Sequence, residues 1–144
     1  MIVSKKKPDI IIVDDHQIFR DGLKYLIKFE NLGNVLAEAA DGKEFIKLLG
    51  QMKPDLVFMD IDLPDMSGIE ATKIALSMMP DMKIIAITMF AEEEYLYRMI
   101  DAGAVGFIQK STDLKELDGA IKLVMRGEKF FSINLADKRN EQLW

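Results

Sequence analysis

The sequence predicts an α/β fold built on a parallel sheet, with helices covering both faces. Three observations lead there. Short apolar runs alternate with helical patterns along the chain, the order expected of βα units. Most runs are continuously apolar, as in strands buried on both faces. Four of the five runs end in a polar group, and right-handed crossovers would bring those ends to one rim.

The first run, Asp9 to Val13 (DIIIV), is β-branched and lies between Pro8 and Asp14. Phe19, Leu23, Leu26 and Ile27 then share one helical face. Val35 to Ala39 (VLAEA) is the weakest strand, because it alternates apolar with polar. Phe45, Ile46, Leu48 and Leu49 form the second helix face. Asp55 to Asp60 (DLVFMD) is a strand entered after Pro54, and Ile69, Ile74 and Met78 follow as a less regular helix stripe. Lys83 to Thr88 (KIIAIT) follows Pro80, and Tyr95, Leu96, Met99 and Ile100 form a stripe ended by Gly103. Val105 to Lys110 (VGFIQK) is the fifth strand. The last helix carries Leu114, Leu117, Ile121 and Val124 and ends at Gly127; Asp113 is its expected N-cap, with Glu116 completing a capping box. Glu92 to Glu94 are expected to start a helix and complement its dipole.

A chain of 144 residues suits one domain, and 49% hydrophobic residues suffice for a core. The absence of cysteine excludes disulfides and thiolate metal sites. Its apolar runs are too short to span a membrane, and the N-terminus lacks a signal-peptide pattern, so a cytoplasmic location is expected. A net charge of −5 and few aromatic residues argue against direct nucleic-acid binding by this segment.

The rim carries the chemistry. The first strand ends in Asp14 and Asp15, the third in Asp60, the fourth in Thr88 and the fifth in Lys110. Three clustered carboxylates repel one another unless a cation intervenes. Mg²⁺ takes oxygen ligands and commonly bridges carboxylates to a phosphate. Lys110 would supply a second positive charge and Thr88 a hydroxyl for a phosphoryl oxygen. Asp60, ending a central strand, is the candidate nucleophile that would become an acyl phosphate. Taken singly, each residue has a plainer reading: acids cap helices, Asp65 with Pro64 and Gly68 makes a turn, and a lone lysine is solvated. The shared order of the groups favours the joint reading. His16, the only histidine, is read as a loop or helix-start residue rather than a ligand or base. The ten methionines are read as core filler, with Met89 a possible exception.

In order and separation, VDDH, FMDIDLPDMSG, AIT and GFIQKS resemble the receiver domain of bacterial two-component response regulators. The likeness runs from Asp9 to Gly127. It implies a doubly wound, flavodoxin-like (βα)5 fold with strand order 2-1-3-4-5. A receiver domain is thus expected over residues 8–127, with a C-terminal extension or linker over 128–144. The resemblance also implies that Asp60 is the phosphoacceptor. Asp14, Asp15, Asp60 and the backbone carbonyl of Asp62 would hold Mg²⁺. Thr88 would be the switch hydroxyl, Phe107 the switch aromatic and Lys110 the family's lysine. A sensor histidine kinase is the implied phosphodonor.

Three departures stand out. Ser111 replaces the proline that often follows the lysine, which leaves the isomer of that peptide open. Met89 is larger than the usual residue beside the hydroxyl and is expected to narrow access to Asp60. Phe107 lacks the hydroxyl of the common tyrosine. DDHQIFRDGL and QKS resemble the subgroup with a LuxR-type helix-turn-helix output domain, and the tail resembles the start of that subgroup's linker. The expectation is therefore a regulator that is either truncated here, with a DNA-binding output domain outside this sequence, or ends naturally at this point, and that can form a homodimer. Leu135, Leu143 and Trp144 are apolar in an otherwise polar tail and would pack on a neighbour or belong to an unpaired linker. The alternative is a Mg²⁺-dependent phosphatase or hydrolase with an aspartyl nucleophile, for which Asp62 would be the second acid. A flavin-binding domain of similar topology fits less well, because acids follow the first strand where a phosphate loop would be needed.

Overall fold

A computed structural model describes residues 7–89 and 92–131. The elements run β1 (Asp9–Val13), α1 (Gln17–Phe29), β2 (Asn34–Ala39), α2 (Gly42–Leu49), β3 (Leu56–Asp60), α3 (Gly68–Met78), β4 (Lys83–Thr88), α4 (Glu93–Ala102), β5 (Gly106–Gln109), α5 (Leu114–Met125) and β6 (Phe130–Phe131). All neighbouring strands pair in parallel, in the order β2-β1-β3-β4-β5-β6. The expected order 2-1-3-4-5 is present, and the sheet goes one strand further. Phe130 and Phe131, expected in the C-terminal extension, pair with Gly106 and Phe107 of β5.

The sheet separates two apolar clusters, which is why its central strands read as continuous apolar runs. Ile11, Val13, Val57, Met59, Ile84, Ala86 and Phe107 face α2, α3 and α4. Ile10, Ile12, Leu56, Phe58, Ile85, Ile87 and Ile108 face α1 and α5. β3 is buried along its whole length. β2 alternates because it is an edge strand, paired only with β1 and partly open to solvent.

The helix stripes pack largely as expected. Leu23 and Ile27 of α1, Phe45 and Leu49 of α2, Leu96 and Met99 of α4, and Leu117, Ile121 and Val124 of α5 are all buried. α3 differs. It meets the sheet through Ile69 and the small residues Ala71, Thr72 and Ala75, while Met78 is 45% exposed. Small side chains let this helix approach its neighbours closely, and that close approach conceals its buried face from a reading based on large apolar residues. Asp113 caps α5 by accepting from the Glu116 N–H at 2.8 Å, and the Glu116 carboxylate accepts from the Thr112 hydroxyl at 2.6 Å. Gly103 ends α4 at φ 109°, in the left-handed region that favours glycine. The Lys110–Ser111 peptide is trans, like every described peptide bond. Leu135, Leu143 and Trp144 lie outside the described residues.

Candidate functional site

The rim at the carboxyl ends of β1, β3, β4 and β5 is assembled by strand register. Val13 pairs with Met59, so the next step along each strand sets Asp14 beside Asp60. Asp60 pairs with Ile87, one residue before Thr88, and Thr88 pairs with Gln109, one residue before Lys110. Backbone bonds extend the ladder past the strand ends. The Asp14 N–H donates to the Ala39 carbonyl at 3.0 Å, and the Lys110 N–H donates to the Thr88 carbonyl at 2.7 Å. Asp14, Asp60 and Thr88 are buried, and the Lys110 side chain is 6% exposed.

The Lys110 ammonium stands between the two buried acids, 2.6 Å from Asp14 Oδ2 and 3.3 Å from Asp60 Oδ2. Its position is shared with the Phe19 ring, whose centroid lies 4.8 Å from Nζ. Burial pushes the Asp60 carboxyl up to about 6, helped by the nearby Asp14 charge; Lys110 and the Asp62 N–H pull the other way. Desolvation thus outweighs the ion pair at this position.

Gly68 is required by close approach. A Cβ there would meet the Asp60 carbonyl oxygen at 2.1 Å and Ile61 Cα at 2.8 Å. The Gly68 N–H donates to the Ile61 carbonyl at 2.6 Å, turning the chain back against the end of β3. The three aspartates of the FMDIDLPDMSG segment then part company. Asp60 points into the rim. The Asp62 N–H donates to Asp60 Oδ1 at 3.2 Å. The Asp65 carboxylate accepts from the Gly42 and Lys43 N–H groups at 2.8 and 2.9 Å, capping α2 in company with Asp41. Those backbone bonds hold the Asp65 carboxyl below its usual range. Asp65 is therefore a structural tie, in line with its reading as a turn residue.

Asp14, Asp15, His16 and Asp60 each present one ligand atom, all within 4.8 Å of one another, and together they could hold a metal ion. Asp14 Oδ2 is buried and faces the Lys110 ammonium, while Asp14 Oδ1 accepts from the His16 N–H. Three carboxylates converging on one rim, two of them buried, suit a hard divalent cation. The Asp62 carboxylate is not part of this cluster.

His16 joins the site although the sequence reading placed it at a helix start. Both statements hold. It is the N-cap residue of α1, and its N–H donates to Asp14 Oδ1 at 2.7 Å. Its ring Nδ1 lies 3.0 Å from Asp14 Oδ1, 3.3 Å from Asp15 Oδ1 and 3.1 Å from Lys110 Nζ. Its position directly after two acids at a strand end was the available signal. Phe107 is fully buried in the cluster that includes Ala86, Leu96 and Met99, and Met89 is 62% exposed at the end of β4.

The chain belongs to the response regulator receiver domain family, which matches residues 10–122. It is thus a receiver domain of two-component signal transduction. Among curated relatives, the transcriptional regulatory protein YxjL of Bacillus subtilis is 40% identical over 136 residues, covering 94% of this chain and 62% of that protein. The transcriptional regulatory protein DegU of Brevibacillus brevis is 34% identical over 125 residues, covering 87% and 53%. This chain therefore spans between half and two thirds of the length of these relatives. A LuxR-family two-component response regulator from Aurantimonas sp. superposes with a TM-score of 0.87 at 35% identity, covering 95% of this chain and 98% of that one. A CheY-like receiver domain from Methanospirillum hungatei gives 0.77 at 31% identity, covering 85% and 96%. Among the described residues, no helix is long and apolar enough to cross a membrane.

Proposed function

We propose that this receiver is switched by Mg²⁺-dependent phosphorylation of Asp60 from a sensor histidine kinase. The observation that carries the reading is the buried Asp14–Lys110–Asp60 arrangement at the carboxyl rim. An Asp60 oxygen attacks the phosphorus of a phosphohistidine in line. The P–N bond breaks as the P–O bond forms, and the imidazole leaves with a proton. Asp14, Asp15, Asp60 and the Asp62 carbonyl would hold Mg²⁺, which supplies charge neutralisation at the phosphoryl oxygens when bound. Lys110 Nζ, already 3.3 Å from Asp60 Oδ2, balances the added charge from the other side. Thr88 donates its hydroxyl to a phosphoryl oxygen. Phe107 is the aromatic that follows Thr88 and couples the site to the face formed by α4 and β5; its buried ring corresponds to the inward position in this reading. Met89 stands at the entrance and slows small donors and attacking water.

The chain accepts and loses a phosphoryl group without being a turnover enzyme. It acts in the cytoplasm. Residues 8–127 carry the receiver, β6 of the extension adds to its sheet, and the segment beyond leads towards a DNA-binding output domain of the LuxR type, with homodimerisation as part of the output. The likeness to transcriptional regulators longer than this chain supports that assignment.

The test is the intact mass after incubation with Mg²⁺ and a small phosphodonor, beside an Asp60→Asn control. One phosphate is expected, lost in the control and on removal of Mg²⁺. Labelling retained in the Asp60→Asn chain would reject the assigned site. If small donors give no label, a phosphorylated histidine kinase is the decisive donor, and no transfer from it would overturn the reading.

A further inference from the structure

We propose that His16 is a direct ligand of this metal site when the ion is a first-row transition metal, giving the site an affinity for such ions that three carboxylates alone would not provide. The inference rests on the reading of the rim as a metal site and adds a nitrogen donor to it. Asp14, Asp15 and Asp60 offer only oxygen, the donor set Mg²⁺ prefers. An imidazole changes the balance, because it suits Fe²⁺, Ni²⁺ and Zn²⁺, whereas Mg²⁺ takes oxygen donors; Mn²⁺ is a first-row ion that also accepts oxygen ligands and so gives the more demanding test.

The geometry places the ring among the carboxylates. Nδ1 is 3.0 Å from Asp14 Oδ1 and 3.3 Å from Asp15 Oδ1, and one ring nitrogen of His16 is among four ligand atoms lying within 4.8 Å of each other. Two ligands of a small divalent ion stand at most about 4.2 Å apart, given bonds of about 2.1 Å. The widest separation in the group therefore has to close by up to about 0.6 Å. The His16 side chain is 60% exposed and has room to turn, while its backbone is held by the Asp14 carboxylate and the first turn of α1. The charge of the site points to a further cation: the buried carboxylates of Asp14 and Asp60, with Asp15 beside them, are met by one ammonium, that of Lys110. Lys110 Nζ lies 3.1 Å from His16 Nδ1 and 2.6 Å from Asp14 Oδ2, so the ring turns away from the ammonium, towards Asp15, to bind the ion.

The experiment uses the full chain with Mn²⁺ alone, so it needs no phosphodonor. Pulsed electron paramagnetic resonance of bound Mn²⁺ should show coupling to one imidazole nitrogen, and the coupling should vanish in His16→Gln. Titration should show the Mn²⁺ affinity of His16→Gln falling about tenfold or more, the scale on which residues around metal sites act. The Mg²⁺ affinity should change less, so the Mn²⁺-to-Mg²⁺ ratio drops. Mn²⁺ bound without nitrogen coupling, or an unchanged ratio in His16→Gln, overturns the role of His16 and leaves the carboxylate site standing. No bound Mn²⁺ at all overturns both.

Discussion

Replacing Asp60 with Asn should stabilise the metal-free protein at neutral pH while removing its phosphorylation. Asp60 is 3% exposed, and burial with the Asp14 charge raises its carboxyl from 3.8 to about 6. The folded state therefore holds the Asp60 proton more tightly than the unfolded state does. Relative stability from this group is fully present below about pH 3.8 and is lost as pH rises through about 6. A shift of about 2 pH units corresponds to about 3 kcal/mol, at 1.36 kcal/mol per unit. Asn has nearly the same shape and carries no charge to desolvate. It can still accept the Asp62 N–H that now reaches Asp60 Oδ1 at 3.2 Å. Urea unfolding in EDTA, followed by circular dichroism, measures the effect. Near pH 7.5 the variant should exceed the wild type by up to about 3 kcal/mol, and the gap should close towards pH 4. Saturating Mg²⁺ should narrow it by stabilising the wild type more. A variant less stable than the wild type at pH 7.5, or a gap independent of pH, would refute the claim that desolvation outweighs the Lys110 ion pair.

Other substitutions separate packing from charge. Gly68→Ala should cost about 3 kcal/mol or more, because its methyl group would overlap the Asp60 carbonyl; Gly119→Ala, in open space within α5, should instead gain up to about 1 kcal/mol, both read from urea midpoints. Lys110→Gln should lose about 3 kcal/mol without metal by leaving Asp14 and Asp60 uncompensated, with much of that recovered in saturating Mg²⁺; no recovery would argue against a cation site. Thr72→Val should be neutral or stabilising by about 1 kcal/mol in thermal unfolding, since the buried Thr72 hydroxyl has no partner. Met89→Ala should accelerate labelling by a small phosphodonor or loss of the phosphoryl group, and unchanged rates of both would reject its gating role.

Most of the site was legible because strand ends are legible. An apolar run shows where a strand stops, and the next polar residue then lies on the rim. Asp14, Asp60 and Thr88 follow that rule, and Lys110 comes one residue later, after Gln109 at the end of β5. Roles inside the FMDIDLPDMSG segment were harder to assign. Asp60 and Asp65 are five residues apart, yet one lies in the rim and the other caps α2, a helix earlier in the chain. Local pattern cannot show which distant N–H groups a loop carboxylate will meet.

Periodicity and punctuation alone were enough for the α/β class, the five principal strands and the helix stripes rich in large apolar residues, because these express local propensity and two-sided burial. Tertiary packing decided the rest. α3 meets the sheet through small side chains, so its buried face carries no large apolar signal. β6 is two residues long and exists because the edge of β5 offers unpaired backbone groups. The charge state of Asp60 and the place of His16 depend on distances between strands and loops remote in sequence. Those distances follow from register and crossover geometry, which become fixed only when the sheet assembles.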